Sequence, residues 1–184
     1  HSKWITSEVV PAKGMDDHAV SVVCEEVDDC GFAKIALKSD QESPIKCVLQ
    51  AVRRERGELI EVIPEESPVG SSASNSKGER AIQSTAGQIR TFKSVVEEKY
   101  EMKIPKDHMI LTWLVKYSGL ALNVGSAGDD GKTAYERRKG KKFTKVLPEF
   151  AENILWMQSE RPGDDKLESK WKDGIYVGLR MRSG

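Results

Sequence analysis

No stretch of this chain approaches the roughly 20 consecutive apolar residues that a membrane-spanning helix needs. The most apolar segment, residues 109–124, is interrupted by Lys116, Tyr117, Ser118 and Gly119. Cysteine is scarce. Cys24, Cys30 and Cys47 form no CxxC pair, and an odd count builds no disulfide framework, so a reducing compartment is expected. The three histidines, His1, His18 and His108, stand far apart without His or Cys at ligand spacing, which argues against zinc. Net charge is missing as well: 29 Lys and Arg balance 29 Asp and Glu, so the chain taken whole has no polyanion-binding signature. No signal-peptide pattern and no internal repeat is visible.

What is present suits a charged-surfaced globular protein: 184 residues, 38% hydrophobic and 32% charged, enough for one ordinary core and a small appendage. The charge is unevenly spread. Residues 1–79 carry 9 basic against 15 acidic side chains, whereas residues 80–184 carry 20 against 14. A basic second half points weakly to a polyanionic partner. The chain opens at His1 rather than Met, as expected of a piece cut from a longer polypeptide.

The local signals alternate between strand and helix. Residues 3–10 read as a strand ended by Pro11 and Gly14. Asp16 or Asp17 can cap a helix over 18–27 that Cys30-Gly31 stops. Residues 32–37 suit a short buried strand, and Ser43-Pro44 opens a second helix that ends near Gly57. Residues 59–63 form a third strand. The following segment, 64–77, holds two Pro, Gly70 and five Ser, and is expected to be a mobile loop. A long helix over 79–100 places Ile82, Ile89, Phe92 and Val96 in one sector to pack on the sheet. At 100° per residue, Gln83, Ala86, Arg90 and Lys93 fall close to Glu79 on the adjoining face. Asp107 caps an apolar helix over 108–124. A turn at 125–131 divides a main domain, 1–125, from a basic, β-rich segment, 126–184, with strands at 153–157 and 174–181. The plan is α/β with a mostly parallel sheet.

Two acids carry the chemical interest. Asp40 follows the strand at 32–37, and Glu79, 39 positions later, is expected at a helix start. Ligand sites in such sheets lie beyond the carboxyl ends of the strands. Two hard carboxylates there suit Mg²⁺ or Mn²⁺. Each acid also has an ordinary structural use, Asp40 in a turn and Glu79 against a helix dipole.

The neighbouring residues narrow the choice. Leu37-Lys38-Ser39-Asp40-Gln41-Glu42 resembles the second-aspartate strand of retroviral-type integrases, and Ser74-Asn75-Ser76-Lys77-Gly78-Glu79-Arg80 resembles their Asn-Gly-x-x-Glu-Arg segment. Farther on, Trp113-Leu114 and Asn123 resemble the helix that follows. Thr133 to Arg137, Gly140-Lys141-Lys142, Phe150, Trp171 and Gly174-Ile175-Tyr176-Val177-Gly178 resemble the post-core region of copia-like retrotransposon polyproteins. The resemblance implies a ribonuclease-H-like mixed sheet flanked by helices, and DNA integration by metal-dependent strand transfer. It implies Asp40 and Glu79 as catalytic metal ligands for Mg²⁺ or Mn²⁺. It assigns Asn75, Gln83, Arg90 and Lys93 to DNA contact, with DNA as partner and a homo-oligomeric parent acting in the nucleus or cytoplasm.

The sequence departs from that pattern in one large respect. The family's first acid lies on a first strand, and only 39 residues precede Asp40. Asp16, Asp17, Asp28 and Asp29 stand at helix ends and do not replace it. The sheet is therefore expected to lack its first strands, and the isolated chain to be catalytically inactive and poorly folded. Ser76 replaces the family's usual Gly, and the His/His/Cys/Cys zinc module is absent. A rival reading is an inactive integrase-like module that binds nucleic acid or a partner; a third is an unrelated α/β domain.

Overall fold

The computed structural model describes residues 2–40, 42–66, 72–159 and 169–179. The chain divides into two compact units, Glu8–Gln83 and His1–Ser7 with Ser84–Gly184.

The Glu8–Gln83 unit is built on one strand–helix–strand crossover. Helix α1, Asp17–Cys30, starts where Asp16 accepts the Ala19 N–H at 3.0 Å, and ends at Gly31, whose φ of 68° needs no Cβ. Strand β1, Lys34–Ser39, leads into helix α2, Ser43–Arg56, and returns as strand β2, Glu61–Glu66, parallel to β1. Parallel strands need a crossover of this kind, because a tight hairpin cannot join them. Val20, Cys24 and Val27 of α1 meet Ala51 and Val52 of α2, with Ile35, Leu37 and Ile60 packed against them.

Three expectations change here. The strand expected at 32–37 lies two residues later, and Phe32 is 66% exposed outside it. Along β1 only alternate residues turn inward, so it is half-buried rather than fully buried. The segment 64–77 is largely structured, because β2 continues through Pro64 to Glu66 and a helix has begun by Ser72. Pro64 is tolerated because, among the described residues, β2 pairs only with β1 and so has an edge where no N–H is required. Residues 67–71 lie outside the described set.

The second unit gathers the end of helix α3, Ser72–Lys99, helix α4, Ile110–Gly125, helix α5, Ala134–Lys139, and the antiparallel strands β3, Asn153–Met157, and β4, Trp171–Ile175. Its core joins Val96 and Ile104 to Leu114, Tyr117 and Leu120 of α4 and to Phe150. Tyr117 sits among Phe92, Phe150 and Tyr176, with ring centroids 5.0, 5.3 and 6.2 Å away. Its hydroxyl donates to the Pro148 carbonyl at 2.8 Å, and burial pushes its pKa up to about 12. Expected to pack on the sheet, α3 instead packs Ile89, Phe92 and Val96 into this core, while Ile82 stays 71% exposed.

The start of α4 also differs. His108 Nδ1, not Asp107, accepts the Ile110 N–H at 3.2 Å, so the helix begins at Ile110. Strand β3 matches its expected bounds. Strand β4 begins at Trp171, ahead of the expected 174–181, because its register sets Met157 against Trp171 and Asn153 against Ile175. The short α5 was not anticipated, although Thr133-x-x-Glu136 spells a capping box: the Glu136 N–H donates to Thr133 Oγ1 at 3.1 Å, and the Thr133 N–H to Glu136 Oε2 at 2.7 Å.

Residues 3–10 do not form a strand. Ile5 finds its hydrogen bonds on a side chain instead, donating N–H to Asn123 Oδ1 at 2.9 Å and accepting from Asn123 Nδ2 at 2.7 Å. Trp4 lies under the Arg138 guanidinium, 4.5 Å from its ring centre. Ser7 passes so close to α4 that a Cβ on Gly119 would meet its Oγ at 2.6 Å, which accounts for glycine inside a helix.

Candidate functional site

Asp40 stands where the sequence places it, immediately beyond the carboxyl end of β1. It is half-buried, its Oδ1 accepts the Glu42 N–H at 3.4 Å, and its carbonyl accepts the Ser39 hydroxyl at 2.9 Å. These short-range bonds hold the turn into α2 and aim the acid's loop. Lys13 pairs with Glu42 beside it; that bond raises the Lys13 pKa, and the Asp40 charge adds to the rise.

Glu79 is exposed and lies in the third turn of α3, not at a helix start. The helix begins at Ser72 because Gly78 only weakens a helix interior, by about 1 kcal/mol, without ending it. Glu79 therefore gains nothing from the helix dipole, whose effect fades within the first turn. Asp40 and Glu79 both belong to the Glu8–Gln83 unit. Among the described residues, no group of three or more His, Cys, Asp and Glu could hold a metal ion. The donor chemistry nevertheless suits a hard dication, because Mg²⁺ is commonly held by one or two carboxylates with water and substrate phosphates completing its shell.

The residues expected to meet DNA fare differently. Gln83 and Arg90 are exposed on α3. Asn75 falls within α3, but its side chain lies outside the described set. Lys93 is half-buried and paired with Glu97, four residues on. That carboxylate also accepts from Lys103 Nζ at 2.9 Å and from the Ile104 N–H at 2.9 Å. Lys93, Lys103 and the Ile104 amide, in that order, hold the Glu97 pKa down at about 2, from an ordinary 4.5. A depressed carboxyl stabilises the fold above its unfolded pKa and loses that contribution as pH falls from about 4.5 toward 2. Replacing Glu97 with Gln is expected to remove this part of the acid-side slope. Urea unfolding of both proteins at pH 6 and pH 3 checks it, and a stability difference equal at the two pH values would refute it.

The basic run 137–142 is partly structural. Arg137 Nε donates to Asp130 Oδ2 at 3.0 Å in a forked contact that holds the Asp130 carboxyl far below the usual range. Arg138 covers Trp4. Lys139, Lys141 and Lys142 remain exposed. The important residue that sequence reasoning did not interpret is Asn123, visible only as a polar side chain in an apolar helix.

This is an α/β fold of small sheets and helices, similar to the catalytic core of a retroviral integrase. The structure resembles the crystal structure of the catalytic core domain of BIV integrase, with a TM-score of 0.53 at 14% identity, over 76% of this chain and 80% of that one. A second neighbour is the simian T-cell lymphotropic virus intasome in complex with PP2A regulatory subunit B56 gamma, with a TM-score of 0.45 at 15% identity. That match covers 84% of this chain, which spans about half (51%) of the other's length. No protein-family profile matches the sequence, and no curated protein matches it. Among the described residues, no helix is long and apolar enough to cross a membrane.

Proposed function

We propose that the chain is the catalytic-core region and following segment of a copia-like retrotransposon integrase, a ribonuclease-H-like domain whose parent joins DNA by metal-dependent strand transfer. The observation that carries the reading is Asp40, set immediately beyond the carboxyl end of β1 in a parallel strand–helix–strand unit, within a fold similar to an integrase core. Asp40 and Glu79 supply carboxylate ligands to Mg²⁺ or Mn²⁺. The bound ion would polarise a phosphodiester oxygen and stabilise the charge that develops there. Gln83 and Arg90, both exposed, contact the DNA backbone, where a cation positions the strand without reading its sequence. Asn75 belongs to the same DNA-contacting set. Lys93 contributes less, because Glu97 already engages its ammonium. The parent acts as a homo-oligomer.

Calorimetric titration with Mg²⁺ tests the assignment. Asp40→Asn and Glu79→Gln should each weaken the ion's binding by at least about tenfold, roughly 1.4 kcal/mol. Affinity equal to wild type in both variants would count against the site. The rival, a module that holds nucleic acid without catalysis, is supported if duplex DNA binds equally well in Mg²⁺ and in EDTA and is indifferent to both substitutions.

A further inference from the structure

A shallow pocket of about 120 Å³ opens at the carboxyl ends of β1 and β2, where α2 passes over them. Leu49 and Pro64 form its apolar side. The rest is polar: Lys46, Gln50 and Arg53 from α2, Ser39 from β1 and Glu65 from β2. The three α2 residues are spaced i, i+4 and i+7, which puts them on one face of the helix. That face is not the one committed to the core, which α2 reaches through Ala51 and Val52. Two cations and an amide thus converge on one concavity, while its one carboxylate, Glu65, has Lys38 Nζ 3.9 Å from its Oε1. The balance inside the pocket favours an anion.

We propose that this pocket seats a backbone phosphate of a nucleic-acid strand. The Arg53 guanidinium presents planar, paired donors that suit two phosphate oxygens, and it is exposed to an incoming strand. Gln50 adds an amide donor, and Lys46, half-buried at the first turns of α2, adds a point charge. The location gives the contact a purpose. Ser39 lines the pocket and Asp40 follows it directly in the chain, so a phosphate held here lies at the strand end that leads into the acid. The inference rests on the reading of the chain as a DNA-acting domain, but it assigns a role to α2 that the acids do not require.

The test uses the full chain and a short blunt-ended, fluorescently labelled duplex, with anisotropy read over a series of salt concentrations. Arg53→Gln should weaken binding about threefold to fivefold near physiological salt and lower the slope of log affinity against log salt by about 0.9, the signature of one lost phosphate contact. Lys46→Gln should act similarly, and Arg53→Lys should keep the wild-type slope. Arg54→Gln, one residue on and outside the pocket, should change little. An unchanged slope in Arg53→Gln, or an equal loss in Arg54→Gln, overturns the proposal. If wild type binds no duplex, the DNA reading fails, and inorganic phosphate then decides the pocket alone. Phosphate-induced shifts of the Gln50 side-chain amide in NMR spectra, lost in Arg53→Gln, would uphold it as a phosphate seat; no shift in wild type would overturn it.

Discussion

Replacing Asn123 with leucine is expected to lower the stability of the unit formed by His1–Ser7 and Ser84–Gly184 by about 3 kcal/mol, because Ile5 loses both backbone partners at once. Asn123 is only 2% exposed, so water cannot take the place of the amide on α4 without opening the contact. Leucine is close in size to asparagine, which keeps the loss of packing small and isolates the hydrogen bonds. Asn123→Asp makes the finer distinction. It keeps an acceptor for the Ile5 N–H but turns oxygen lone pairs toward the Ile5 carbonyl, so it should fall between wild type and the leucine variant. Urea unfolding followed by tryptophan fluorescence measures both. A leucine variant with the wild-type midpoint would show that residues 2–7 are not anchored by this amide.

Leu114→Ala should cost about 3–4 kcal/mol in the same assay, whereas Trp113→Ala, its neighbour, should cost less than about 1. Leu114 is 0% exposed at the centre of the α4 core, and its removal leaves a cavity that Val96, Tyr117 and Phe150 are too tightly packed to fill. Trp113 is 47% exposed, with Lys116 Nζ 5.6 Å from its ring centre, so most of its surface already meets water. Similar losses in the two variants would mean that the face of α4 carrying Trp113 is covered in solution.

That pair shows how legibility varies along the chain. Trp113 and Leu114 read alike in sequence, as adjacent apolar residues in an apolar run, and only the orientation of α4 separates a surface residue from a core one. Asp40 was legible because a strand end is a local feature: Lys34 to Ser39 alternates inward and outward, and the turn that follows is closed by the Ser39 hydroxyl and the Glu42 amide. The surroundings of Glu79 were less legible. Serine-rich, glycine-containing sequence resembles a loop, yet residues 72–78 continue the helix because no proline interrupts them and one glycine is tolerated. The expected strand at residues 3–10 failed for another reason. Its β-prone residues satisfied the propensity, but a strand exists only where a partner offers a matching ladder, and here Asn123 serves Ile5 instead.

By itself the sequence determined what depends on neighbours a few residues apart. The Asp16 cap and Gly31 stop of α1, the helical spacing of α2 and α3, the bounds of β3, the acid after β1 and the Thr133–Glu136 capping box all follow from such short-range contacts. Tertiary structure alone decided what depends on distant partners. Those choices include the pairing of β1 with β2, the 118-residue reach from Asn123 to Ile5, the Glu97 hold on Lys93, and the convergence of Ser39, Lys46, Gln50 and Arg53 on one pocket. The reason is physical: caps and periodicity act through contacts that the backbone forms within a few residues. Burial, strand pairing and charge partners are instead settled by competition among every group that packing brings within reach.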